Sequence, residues 1–94
     1  MTIDTLLHSE AIYVLFDGCP TCHPKSAKYL NECRTQAQKT RRKLRIVPSG
    51  SPTATHMRTI AQNQGQHIEY PMILIDGIIR HEPQDITADE RNQQ

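Results

Sequence analysis

The 94-residue sequence predicts one α/β domain with the element order β-α-β-α-β-β and a short or marginal C-terminal helix. Three observations predict it. Two nearly unbroken apolar runs, Ala11-Ile12-Tyr13-Val14-Leu15-Phe16 and Met72-Ile73-Leu74-Ile75, have the length of strands buried on both faces. Between them, two stretches carry apolar residues at spacings of three and four, the period of an α-helix. After the second run, Asp76-Gly77 is a two-residue hairpin signal, and Ile78-Ile79-Arg80-His81 returns along it. A strand–helix–strand unit followed by a helix and a hairpin makes one sheet with helices on its faces.

The elements follow in order. Residues 1–10, MTIDTLLHSE, form an N-terminal extension with Ile3, Leu6 and Leu7 as its apolar residues. The first strand, Ala11 to Phe16, stops at the turn signal Asp17-Gly18. The first helix runs from about Lys25 to Lys39, with Ala27, Leu30, Cys33 and Ala37 as its apolar stripe. A charged run, Lys39-Thr40-Arg41-Arg42-Lys43, precedes the second strand, Leu44 to Val47. Ser51 is the expected N-cap of the second helix and Pro52 its first residue, where a missing N–H costs nothing. Ala54, Met57, Ile60 and Ala61 form that helix's stripe, and Gly65 ends it. Tyr70-Pro71 then leads into the second apolar run. In the tail, residues 82–94, Ile86 is the one sizeable apolar residue and Thr87-Ala88-Asp89-Glu90 has a capping-box pattern. A weakly docked closing helix is expected there. It would leave part of a sheet face to Ile3, Leu6 and Leu7 or to a partner.

Composition narrows the function classes. Hydrophobic residues make up 36% of the chain and the mean hydropathy is −0.62, so the core is modest. No apolar run approaches the ~18 residues of a membrane helix. The N-terminus lacks the positive segment and small-residue cleavage site of a secretory signal. Three cysteines, an odd number, speak against a secreted disulfide framework and for a reducing cytoplasm. A net charge of +1 does not suggest nucleic acid. The basic run 39–45 contains the one cluster that would suit phosphates, and no aromatic residue is interleaved with it.

The chemistry concentrates in FDGCPTCHP, Phe16 to Pro24. Cys19-Pro20-Thr21-Cys22 is a C-x-x-C, the spacing of a redox dithiol or of half a zinc site, and His23 extends it to the C-x-x-C-H of covalent haem. Haem is disfavoured because a strand, not a helix, leads into the motif. Zinc would need further ligands from His23, Cys33 or a distant histidine. Cys33 lies on an apolar stripe and reads as a buried, inert thiol. A dithiol needs no third group. The thiolate is the attacking species, and a free cysteine has a pKa of about 8.5. A C-x-x-C where a strand meets a helix places its first sulfur beside unpaired N–H groups at the positive end of the helix dipole. Cys19 is then the nucleophile, and Cys22, one turn on, resolves the mixed disulfide. His23 and Lys25 add positive charge that would tune the thiol, and Asp17 opposes it. Pro24 leaves two starts open for the helix: one at Pro20, kinked by Pro24, and one at Pro24 itself.

The strand-then-C-x-x-C of AIYVLFDGCPTC, the helix after it, and Tyr70-Pro71 opening MILIDG resemble the thioredoxin superfamily, and most closely its glutaredoxin-like branch. The resemblance covers roughly Ala11 to His81. It implies a thioredoxin/glutaredoxin-like fold and a dithiol oxidoreductase that reduces protein disulfides, with ribonucleotide reductase among the substrates. It also implies a cis Tyr70-Pro71 bond packed against the dithiol. Pro20, Thr21, Tyr70 and Pro71 would meet the substrate, the residue before the proline offering main-chain groups to a substrate strand. The redox-active Cys19–Cys22 disulfide would serve in place of a cofactor, and a monomer is expected. Glutaredoxins carry a Gly-Gly pair after the last hairpin, where glutathione is approached. That place falls here at about His81-Glu82 without paired glycines, which leaves the reductant open. The alternative is a non-catalytic thioredoxin-fold interaction module, holding zinc or contacting nucleic acid through the 39–45 run.

Overall fold

Four strands pair into one mixed sheet in the computed structural model, which describes residues 2–18 and 24–86. The described elements are α1 (Ile3–Leu7), β1 (Ile12–Leu15), α2 (Pro24–Thr40), β2 (Leu44–Val47), α3 (Pro52–Asn63), β3 (Met72–Ile75) and β4 (Ile78–Arg80). The sheet order is β2-β1-β3-β4. β1 runs parallel to β2 with Ile12 beside Leu44, and antiparallel to β3 with Leu15 beside Met72. β4 returns antiparallel along β3. The two central strands, β1 and β3, are the two apolar runs, and every one of their residues is buried.

Alternation along the strands divides the core between two faces. Tyr13, Leu15, Met72, Leu74 and Ile79 pack with Ala54, Met57, Ile60 and Ala61 of α3 and with Leu6 of α1. Ile12, Val14, Phe16, Ile73 and Ile75 pack with Leu30, Cys33 and Ala37 of α2 and with Ile86. Both predicted helical stripes therefore face the sheet, one on each side. No helix among the described residues is long and apolar enough to cross a membrane.

The N-terminal extension contains a helix that periodicity did not predict. Five residues are too few to display a period. Thr2 nevertheless caps α1 by accepting from the Thr5 N–H, and the i, i+3, i+4 set Ile3, Leu6, Leu7 turns onto the α3 face. These residues share their face with α3, while Pro83 and Ile86 are buried at the other end of the chain. The closing helix expected around Thr87–Glu90 lies outside the described residues.

Ends and edges are built from local rules. Ser51 caps α3, its hydroxyl accepting from the Ala54 N–H at 3.2 Å. After Gln64, Gly65 has φ of 72°. The bonds from Gln66 N–H to the Ala61 carbonyl and from Gly65 N–H to the Gln62 carbonyl complete a Schellman motif. The same pair of bonds ends α2, from Arg42 to Ala37 and from Arg41 to Gln38, but there the left-handed residue is Arg41, with φ of 58°. An L-residue with a Cβ is strained in that conformation. Arg41→Gly is therefore expected to stabilise the fold by up to about 1 kcal/mol, read as a higher urea midpoint. An unchanged or lower midpoint would refute this account of the α2 terminus.

The hairpin between β3 and β4 turns through Asp76 and Gly77, with φ of 52° and 78°, the two positive angles of a type I′ turn. Arg42 grips the Asp76 carboxylate with both guanidinium ends, at 2.8 and 3.0 Å. The outer edge of β4 is closed by two side-chain amides. Gln64 donates to the Gly77 carbonyl and accepts from the Ile79 N–H, and Gln66 donates to the Ile79 carbonyl. An otherwise unpaired strand edge is thereby satisfied.

Candidate functional site

The antiparallel register of β1 and β3 decides which described residues flank the predicted site. With Leu15 opposite Met72, the next residues outward are Phe16 on one chain segment and Pro71 on the other. The chain that continues from Phe16 through Asp17 and Gly18 toward the dithiol therefore leaves the sheet beside Tyr70-Pro71. More than fifty positions of sequence separate these two halves. The Tyr70-Pro71 peptide bond is cis. Cys19, Pro20, Thr21, Cys22 and His23 themselves lie outside the described residues. They are bounded on one side by Gly18, with φ of 121°, and on the other by Pro24, where the described part of α2 begins. Lys25 is exposed, and so is Asp17.

Three side chains absent from the sequence-level site frame Tyr70-Pro71. Arg58, on the flank of α3, donates through Nε to the Tyr70 hydroxyl at 2.8 Å and through Nη2 to the Ser49 carbonyl at 2.9 Å. Its guanidinium carbon also lies 5.8 Å from the Tyr70 ring centre, within cation–π range. His81 lies just past β4. Its Nδ1 is 3.3 Å from the Pro71 carbonyl oxygen and its Nε2 is 3.2 Å from Gln66 Oε1. The sequence marks His81 as one surface histidine among several; in the fold it is half-buried against Pro71. The hairpin explains why. Folding the chain about Asp76-Gly77 continues the β3–β4 register to His81 beside Met72, one residue from Pro71. That signal was available from spacing alone. No comparable signal pointed to Arg58 or Gln66.

Tyr29 links the frame to α2. Its hydroxyl donates to the His81 carbonyl at 2.6 Å, and its ring meets Phe16 edge-on, with centres 5.7 Å apart and planes at 82°. Burial first, then the charges of Cys33, Glu82, Asp85 and Glu32, push the Tyr29 hydroxyl well above the usual tyrosine range. It stays a neutral donor at ordinary pH. Phe16, Tyr29, His81 and Pro71 thus form a continuous set of contacts joining β1, α2, the end of β4 and the start of β3.

Cys33 is the one cysteine among the described residues, and it is fully buried on the α2 stripe. Burial, and secondarily Glu32, push its thiol up to about 12. A thiol that remains protonated and enclosed is neither a nucleophile nor a metal ligand. Among the described residues no cluster of three or more histidine, cysteine or acidic side chains could hold a metal. The basic run lies at the other end of the sheet. Lys43 precedes Leu44, which pairs with the first residue of β1, whereas the candidate site adjoins the last. Arg42 of this run is committed to Asp76, while Arg41, Lys43 and Arg45 are exposed.

No protein-family model, curated protein or solved structure matches this chain.

Proposed function

We propose that this protein is a dithiol thiol–disulfide oxidoreductase of thioredoxin/glutaredoxin-like architecture, acting through Cys19 and Cys22. The observation that carries the proposal is the register that sets the chain leading to Cys19 beside Tyr70-Pro71. A C-x-x-C is weak by itself. A C-x-x-C entered from a buried strand and followed by a helix, with the chain leading into it leaving the sheet beside an X-Pro of the neighbouring antiparallel strand, is an arrangement suited to disulfide exchange on a peptide. The order β2-β1-β3-β4, with helices on both faces, supports the same reading.

The reaction balances within the dithiol. The Cys19 thiolate attacks one sulfur of a substrate disulfide, forming a Cys19–substrate mixed disulfide and expelling the other substrate sulfur as a thiolate, which takes up a proton. Cys22 then gives up its proton and attacks Cys19 Sγ. The second substrate thiol departs and a Cys19–Cys22 disulfide remains. Two electrons pass from the protein to the substrate, and an external thiol returns them. Tyr70 and Pro71 present main chain to the substrate segment, while Phe16, Tyr29 and His81 hold the frame.

A redox equilibrium titration tests this. The protein is poised in thiol–disulfide buffers, alkylated near pH 8, and weighed intact and after digestion. A reversible two-electron transition confined to Cys19 and Cys22 is expected, with a potential between about −270 and −180 mV. Cys33 should react only after denaturation. If both site thiols stay reduced throughout, or are masked until a metal is removed, the proposal fails.

A further inference from the structure

We infer that Arg58 is the positioning residue of the candidate site, and that it makes the enzyme selective for disulfides flanked by extended peptide over small-molecule disulfides. The inference rests on the proposed oxidoreductase reading. Three observations lead to it. The Arg58 guanidinium reaches Tyr70 twice, through a 2.8 Å hydrogen bond to the hydroxyl and by lying against the ring. The same guanidinium is tied to the Ser49 carbonyl at 2.9 Å, so the loop after β2, helix α3 and the segment before β3 are joined by one side chain. Tyr70 itself packs only partly into the α3-face core. Its free end is held by Arg58, not by enclosure.

The consequence is specific to one kind of substrate. Tyr70 is the last residue before Pro71 and the strand β3, on the side where the chain toward Cys19 leaves the sheet. A peptide lying along this segment in extended form would pair with its main chain, as added strands do. Tethering the Tyr70 side chain at its far end restricts that main chain to one arrangement before substrate arrives. A restricted partner loses less freedom on pairing, so the tether acts on substrate association. A disulfide without flanking peptide has no main chain to pair and gains nothing from it. Sulfur exchange itself does not involve Arg58.

A double-mutant cycle with two substrates tests this. Steady-state reduction is measured for wild type, Arg58→Met, Tyr70→Phe and the double variant. One substrate is a short peptide pair joined by a disulfide, the other bis(2-hydroxyethyl) disulfide. Arg58→Met is expected to raise KM for the peptide substrate about tenfold, with kcat within about twofold. Kinetics on bis(2-hydroxyethyl) disulfide should be unchanged. In the Tyr70→Phe background the further effect of Arg58→Met should shrink to about twofold or less, because the two residues act through one bond. Equal losses on both substrates, or losses that simply add, would overturn the inference and leave Arg58 as a packing residue. Arg58→Lys, which keeps the charge but not the planar fork, guards against misfolding. It should fold as wild type and show most of the peptide-specific KM rise. Wild-type kinetics for Arg58→Lys on the peptide would also count against the inference. If the wild type reduces neither substrate, the oxidoreductase reading falls and this inference falls with it; activity on both with no peptide-specific loss overturns the inference alone.

Discussion

Cys19→Ser is expected to bring disulfide reduction down to the uncatalysed background while leaving the fold intact. The serine hydroxyl is nearly the size of the thiol, but it is not ionised near neutral pH and does not exchange with disulfides. The nucleophile is therefore removed without removing volume. Cys22→Ser has a different expected outcome. The first attack survives and the resolving one does not, so a mixed disulfide between Cys19 and the substrate accumulates and appears as an added mass in intact-protein spectra. Cys33→Ala is the matched control. Cys33 is fully buried on the far side of α2 from solvent, and its loss should cost stability but not rate per folded molecule. Full activity of Cys19→Ser would end the oxidoreductase proposal. The chain would then be considered an interaction module instead.

The second large effect is on stability. Ile73 sits on β3 between β1 and β4, fully buried, facing the α2 side of the core with Ile12, Val14 and Ile75. Ile73→Ala removes three carbons where neighbouring strands on both sides prevent collapse into the space. A loss of about 3–4 kcal/mol is expected. A domain of this length has roughly 5–14 kcal/mol in all, so between about a fifth and four-fifths of its stability would go. With an m-value of about 1.2 kcal/mol/M, the urea midpoint falls by about 2.5–3.3 M. A loss below about 1 kcal/mol would mean that the sheet does not have this central strand order.

These two effects sit on opposite faces of one design. The interior strands β1 and β3 are apolar along their full length, and this is what makes them rigid rails. The residues of the proposed site follow one rail and precede the other. Rigidity at the rails fixes the separation of Phe16 and Pro71, and side chains from α2, α3 and the end of β4 then brace the junction. Functional residues held on loops by a rigid scaffold are a common arrangement, and the proposed site follows it.

The sequence by itself determined the class of the sheet and both its central strands, because eight consecutively buried positions in two short runs leave no amphipathic alternative. It determined the caps and stops of α3 through Ser51, Pro52 and Gly65, whose effects are local to one turn. It determined that Cys33 is inert, since its place on the α2 stripe already set it against the core. It also marked Asp76-Gly77 as the hairpin, though the place of His81 that follows from that turn was not read from it.

Tertiary structure alone decided the rest, and in each instance the cause is long range. Helix α1 is too short to show a period and exists as a covering for the α3 face, so its reason lies in residues far along the chain. The closure of the β4 edge by Gln64 and Gln66 depends on how α3 ends beside that strand, which no local pattern records. Arg58 reads on its own as a solvated charge beside an apolar stripe. It becomes a brace for Tyr70 only because α3, the loop at Ser49 and the start of β3 converge on one point. That convergence is set by sheet order and register, which are sums over the whole core and are not carried by any one residue.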